Sequence, residues 1–263
     1  MGRLQDKVVV ITGAGSGLGR AMALRFVAEG ARVLVTDLSE ASGRETVALI
    51  GAAEDVVAFR RVNVTVEADC ESAVSDAVGR WGRLDVLVAN AGIGAPGFIA
   101  TLDREDWDRV LAVNLTGPFL CAKHAFRAMQ QGGGSILITA SVAGLGGTPR
   151  LGAYGPSKAG AIQLMQTLAL EGARFNIRAN ALCPVWTETP MVDAFVGGMG
   201  GGMGGGLGRQ GAEAARERLA SDIPLGRLGS PADVASAAVY LASDEAAFVS
   251  GVALPIDGAH GAR

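Results

Sequence analysis

Seven short runs rich in Val, Ile and Leu, separated by longer stretches of helical period, constrain this chain more than any other feature. Strands joined through helices lie parallel, and a parallel sheet is covered on both faces, so its strands read as continuous apolar runs. Residues 7–12, 31–37, 56–64, 84–89, 135–140, 177–182 and 253–256 fit strands, with helices in the gaps. No linker interrupts the alternation. The pattern predicts a single doubly wound α/β domain over residues 1–263, with a seven-stranded parallel sheet flanked by helices. A length of 263 residues, 49% of them hydrophobic, is enough for such a core.

Charge excludes some partners. The 26 acidic and 23 basic residues leave a net charge of −3 without blocks of one sign, so neither nucleic acid nor an anionic membrane surface is expected to bind. The amino terminus lacks the shape of a secretory signal, and no apolar run reaches the roughly 18 residues needed to span a bilayer. A cytoplasmic location is the expectation. The three cysteines, Cys70, Cys121 and Cys183, are far apart in sequence and lack metal-ligand spacing, so they read as small buried hydrophobes and no metal is expected.

Between the first strand and the helix after it lies Thr12-Gly13-Ala14-Gly15-Ser16-Gly17-Leu18-Gly19. Glycines there let the backbone turn sharply and approach a pyrophosphate, whose charge is met by the amides and positive end of the new helix. With strand before and helix after, the loop suits a dinucleotide in a Rossmann-type domain. Asp37 ends the second strand, 18 residues beyond Gly19. A carboxylate there accepts from both hydroxyls of the adenosine ribose and repels a 2′-phosphate, so NAD (NADH) is preferred over NADP. The alternative is a capping or turn role for Asp37 before Ser39. Arg32 and Arg44 are discounted as phosphate partners: one starts its strand, the other lies on the following helix.

Tyr154 and Lys158 stand four apart at the start of a helical segment, 154–173, so their side chains leave one face. Pro156 between them is tolerated only in a first turn, which puts the pair near the positive end of the helix. Lowering a phenol from near 10 to near 7 asks for about 4 kcal/mol. An ammonium, a helix terminus and a cationic nicotinamide all push that way, so a lowered Tyr154 is expected.

The glycine loop, Asn90-Ala91-Gly92 after the fourth strand, Ser141 after the fifth and Tyr154 thirteen residues later together resemble the short-chain dehydrogenase/reductase family, over residues 7–258. The resemblance implies an NAD-dependent enzyme of secondary alcohols and ketones, with a catalytic tetrad of Asn114, Ser141, Tyr154 and Lys158. Tyr154 is the general acid/base, and Ser141 orients the substrate oxygen. Lys158 holds the nicotinamide ribose, and Asn114 keeps a water-linked proton path to Lys158 through a helix distortion. Asn114 alone would read as a residue capping or kinking a helix. For the cofactor the resemblance implies contacts from Gly13, Ser16, Gly17, Leu18 and Gly19, then Asp37 and Leu38. Asn63 and Val64 fall at the adenine, and Asn90, Ala91 and Gly92 beside the adenosine. Pro184, Thr187 and Thr189 fall at the nicotinamide side, where Val185 replaces the usual glycine and Thr187 a usual aliphatic residue. The carboxyl-terminal residues 224–229, 231–234 and Asp257-Gly258 also match, and read as structural. A homotetramer with two-fold symmetry is implied as well, burying helices 106–129 and 154–173 and the last strand.

Residues 197–211 hold ten glycines, with Met199, Met203 and Leu207 repeating every fourth position. Glycine costs about 1 kcal/mol relative to Ala in a helix interior, so this run reads as a loop inside a substrate-loop insertion at 190–223. Either it is a lid over the substrate or an idle surface loop. Ile93, Pro96, Val142, Leu145 and Trp186 are expected around an apolar substrate pocket, which suits an apolar or alicyclic small-molecule alcohol or ketone. Two other functions stay open. One is reduction of 3-oxoacyl thioesters, against which Asp37 and the absence of a basic dock weigh; the other is a non-catalytic dinucleotide sensor or assembly subunit.

Overall fold

The computed structural model describes residues 2–198 and 209–262. The amino-terminal half runs β1 (Val8–Thr12), α1 (Gly17–Ala28), β2 (Arg32–Asp37), α2 (Glu40–Ile50), β3 (Val57–Arg61), α3 (Glu67–Trp81) and β4 (Val86–Ala89). Then follow α4 (Arg104–Leu111), α5 (Gly117–Met129), β5 (Gly134–Thr139), α6 (Tyr154–Gly172) and β6 (Ile177–Pro184). The chain closes with α7 (Pro190–Gly198), α8 (Arg209–Ser221), α9 (Pro231–Ala242) and β7 (Ala253–Ile256).

All strands pair in parallel in a seven-stranded Rossmann-type sheet of order β3-β2-β1-β4-β5-β6-β7. Each face is sealed by its own apolar cluster. Val8, Val10, Leu87, Ile136 and Ile138 meet residues of α3, α5 and α6 on one side. On the other, Val9, Ile11, Val33, Val86 and Leu137 meet Met22 and Phe26 of α1 and Val234, Ala238 and Val239 of α9. This two-sided burial is why the strands carry continuous apolar runs. The strand order reverses between β1 and β4, and a ligand crevice opens at the carboxyl ends of the strands beside that point.

Three local readings change. β3 stops at Arg61 instead of running to residue 64, because the chain turns at Asn63: its Oδ1 accepts from Thr65 N at 3.1 Å, and its own N–H donates to Asp69 Oδ2 at 2.8 Å. The helix expected over 106–129 is two helices joined by a π-helical turn at Ala112–Thr116. Pro118 has no N–H to give the Asn114 carbonyl four residues back, so the ladder must slip there. Of the glycine-rich run, residues 197–198 end α7 and residues 209–211 start α8. The remainder, with Met199, Met203 and Leu207, lies outside the described residues, as does any lid built from it.

Cys70, Cys121 and Cys183 are all buried. Folding brings the first two together across α3 and α5, with 3.5 Å between sulfurs. No described helix is long and apolar enough to cross a membrane.

Candidate functional site

The glycine loop turns through the left-handed region at Gly13 (φ 63°) and Gly17 (φ 50°), where side chains are disfavoured. Ser16 precedes α1 in extended conformation and gives the helix no side-chain cap. The first amides of α1 are therefore left for an incoming anion, at the positive end of the helix. Gly13, Ser16, Gly17 and Leu18 line a cavity of about 610 Å³ that runs along the carboxyl ends of the strands. Gly19 does not line it. A Cβ on Gly19 would fall 2.2 Å from Gly13 O and 2.6 Å from Asn90 Nδ2, so this glycine lets α1 close on the loop.

Asp37 and Leu38 sit on the cavity wall at the end of β2. The Asp37 carboxylate accepts from Gly15 N at 2.8 Å and Ser39 N at 2.9 Å, which fixes its orientation and leaves each oxygen a free lone pair. The α2 cap is Ser39, whose hydroxyl accepts from Ser42 N, so the capping role considered for Asp37 falls to Ser39, while the turn role is present in the bond from Ser39 N to Asp37. Arg44 pairs with Glu40 and Arg32 with Asp6, away from the cavity. Asn63 and Val64 reach the wall, but the Asn63 amide oxygen accepts from both Thr65 N and Thr65 Oγ1. The acceptor expected for an adenine amine is thus engaged within the turn. Asn90, Ala91 and Gly92 follow β4 along the wall. Asn90 Nδ2 donates to Thr12 O and Gly13 O, and its Oδ1 accepts from Thr139 Oγ1, so one side chain ties β1, β4 and β5 together.

Ser141, Tyr154 and Lys158 meet farther along the same wall. Ser141 follows β5, while Tyr154 opens α6 and carries Lys158 one turn on. The Ser141 hydroxyl is close enough to the Tyr154 phenol to influence its titration, and Lys158 Nζ lies 5.5 Å from the Tyr154 ring centre. Lys158 is buried and donates to Thr139 O at 2.7 Å. Burial pushes its ammonium down to about 8. Burial likewise raises the Tyr154 phenol; the Ser141 hydroxyl pulls it down, but not enough to offset this. A lowered phenol is therefore not what the protein groups produce by themselves. Directly behind the cluster the buried Cys183 thiol, likewise desolvated, is pushed up to about 11.

Asn114 is fully buried and does not line the cavity. The π-helical turn carries it to Ile93, from whose N its Oδ1 accepts at 2.8 Å and to whose O its Nδ2 donates at 2.9 Å. The same Nδ2 donates to Ser157 Oγ at 3.1 Å, and Ser157 Oγ donates to the Tyr154 carbonyl at 2.6 Å. A Cβ on Gly92 would lie 3.3 Å from Lys158 Nζ and 3.4 Å from Asn114 Oδ1, so these two groups approach one point without a direct bond.

Pro184 at the end of β6, and Thr187 and Thr189 beyond it, line the cavity. The Thr187 hydroxyl donates to Val185 O at 2.8 Å and that of Thr189 to Thr187 O at 3.1 Å, which holds the segment compact. Val185, in place of the family's glycine, joins Val192, Val196, Leu219, Ile223 and Leu228 in a small apolar cluster that packs α7 on α8. Ile93, Pro96, Val142 and Trp186 are on the wall as expected; Leu145 is not, being 49% exposed. Sequence reasoning missed Thr148, Leu151, Met191, Phe195 and His260. Of these, the apolar period at the start of α7 was the one available signal.

A parallel sheet whose glycine loop, strand-end acid and Ser/Tyr/Lys cluster share one crevice is the architecture of a dinucleotide-binding oxidoreductase. A family model described as Enoyl-(Acyl carrier protein) reductase matches residues 13–260. The chain is 40% identical to the 3-oxoacyl-[acyl-carrier-protein] reductase FabG of Thermotoga maritima, over 97% of this chain and 98% of that one. It is 36% identical to trans-4-hydroxycyclohexanecarboxylate dehydrogenase of Sinomonas cyclohexanicum, over 97% and 93% respectively. A structure of 3-ketoacyl-(acyl-carrier-protein) reductase from Brucella melitensis complexed with NADH superposes with a TM-score of 0.87 at 33% identity, covering 98% of this chain and 99% of that one. The chain belongs to the short-chain dehydrogenase/reductase family and is an oxidoreductase.

Proposed function

We propose that the protein transfers a hydride between NAD(H) and a secondary alcohol or ketone, with Tyr154 exchanging the hydroxyl proton. The observation that carries this is that Ser141, Tyr154 and Lys158 share one wall of the crevice, with the Lys158 ammonium buried and 5.5 Å from the Tyr154 ring centre. NAD⁺, when bound, supplies the hydride acceptor and a positive charge near the phenol. Ser141 holds the substrate oxygen against Tyr154, which takes the proton during oxidation and returns it during reduction. Lys158 favours the phenolate and meets the nicotinamide ribose. Asn114 acts at one remove: in this reading a water joins it to Lys158 Nζ, and its bond to Ser157 steadies the first turn of α6.

Gly13, Ser16, Gly17 and Leu18 take the pyrophosphate in this reading. Asp37 takes the adenosine ribose hydroxyls with its free lone pairs, which favours NAD over NADP. The substrate half of the cavity, walled by Ile93, Val142, Leu151, Trp186 and Phe195, suits an apolar alicyclic alcohol, and the dehydrogenase from Sinomonas cyclohexanicum supports that class. Likeness to the Thermotoga maritima reductase favours 3-oxoacyl thioesters as the second reading. A homotetramer completes the proposal. The test is a panel of alicyclic and acyclic secondary alcohols with NAD⁺ or NADP⁺, and of 3-oxoacyl thioesters with NADH or NADPH, read at 340 nm. Turnover of alicyclic alcohols with NAD⁺ supports the first reading. Turnover confined to thioesters with NADPH would replace it with the second.

A further inference from the structure

The carboxyl-terminal turn brings a histidine to the crevice. His260 lines the same cavity as Tyr154, Trp186 and Phe195. Its position is strongly specified. Gly258 (φ 57°) and Ala259 (φ 70°) both adopt left-handed backbone, which for Ala is costly and persists only where the surroundings enforce it. The Asp257 carboxylate enforces it, accepting from Ala259 N at 3.1 Å and Gly261 N at 2.8 Å, while Leu225 N donates to Gly258 O. The ring itself is anchored: Nδ1 lies 3.1 Å from the Asp222 carbonyl oxygen. A carbonyl only accepts, so Nδ1 carries the hydrogen, and the neutral imidazole must present Nε2 as a bare acceptor.

Around it the described wall of the substrate half is apolar, with the stacked Trp186 and Phe195 rings 4.9 Å apart. Among the polar side chains that line the cavity, Thr148 and His260 have no part in the cofactor reading or in the Ser141, Tyr154 and Lys158 cluster. A bare acceptor in an otherwise apolar pocket selects a donor, because a ligand without one leaves the nitrogen desolvated and unpaired. Resting on the hydride-transfer reading, we infer that His260 is a specificity-determining residue. Its Nε2 accepts a hydrogen bond from a second hydroxyl of an alicyclic substrate, remote from the carbon oxidised at Tyr154, so the substrate class is alicyclic diols and hydroxyketones.

The probes are cyclohexanol, cyclohexane-1,3-diol and cyclohexane-1,4-diol with NAD⁺. The unmodified protein prefers a diol to cyclohexanol in kcat/KM by about tenfold, mostly through KM. In His260→Phe the preference collapses towards unity, and in His260→Gln, which keeps an acceptor, part of it returns. Thr148→Val keeps it. Equal kcat/KM for diols and cyclohexanol in the unmodified protein would overturn the inference while leaving the hydride-transfer reading intact. So would an equal fall for all three alcohols in His260→Phe, or loss of the preference in Thr148→Val. Turnover of none of them by the unmodified protein would bring down both.

Discussion

Tyr154 and Lys158 feel the same burial with opposite consequences, since low polarity raises an acid that ionises to an anion and lowers one that carries a cation. Lys158 titrates at about 8 when folded against 10.5 in an exposed chain, so between those pH values the unfolded state binds the additional proton and stability rises with pH. Below pH 8 the full cost of the buried charge is present, about 3 kcal/mol. Lys158→Met removes this term, so its melting temperature relative to the unmodified protein falls as pH goes from 7 to 10; a gap independent of pH would contradict a buried ammonium. Asp37→Ala is expected to narrow the NAD⁺ to NADP⁺ affinity ratio by about tenfold or more, through weaker NAD⁺ binding and relief of repulsion, as measured by titration calorimetry. These residues were legible in the sequence because chemistry tied them to fixed spacing: four residues for Tyr154 and Lys158, a strand end for Asp37. His260 was not, since no local pattern links a terminal turn to a pocket built around Tyr154. Nor was the engagement of Asn63 with Thr65, which depends on where β3 lets go of the sheet.

At the scale of elements, the join between α4 and α5 shows how one residue redirects a helix. Pro118 forces the slip, the slip turns Asn114 inward, and Asn114 reaches the first turn of α6 through Ser157. Ser157→Ala breaks that link and should cost about 1 kcal/mol of stability, with a fall in kcat larger than any change in cofactor affinity. Denaturant titration and steady-state kinetics read the two effects. Gly19 is the test of packing. Gly19→Ala drives a methyl into Gly13 O, and is expected to destabilise by about 1–3 kcal/mol and loosen the pyrophosphate loop. Apart from the far end of β3, the strands were legible to within a residue or two because their burial on both faces leaves a continuous apolar signature. The split in the fourth helical segment was hidden because 106–129 keeps one apolar period across the π-helical turn, and only the resemblance to a family implied a distortion at Asn114.

For the molecule as a whole, the order β3-β2-β1-β4-β5-β6-β7 gathers residues from Gly13 to His260 along one edge, which is why motifs scattered over the sequence converge on one crevice. That convergence follows from parallel strands, so the fold class carried much of the site with it. Assembly is tested separately: Phe119 on α5, Leu170 on α6 and Phe248 before β7 are exposed apolar side chains, and the proposed tetramer covers such surface. Light scattering should give about four times the chain mass of 26.7 kDa, and a monomer would contradict the proposal. The most direct measurement is turnover by Tyr154→Phe, using the alcohol of highest kcat/KM in the panel and NAD⁺, together with NADH affinity by fluorescence. Proton exchange at Tyr154 predicts a loss of about a hundredfold or more in kcat with NADH binding retained. A variant keeping a tenth of the activity would mean that the proton travels by another group.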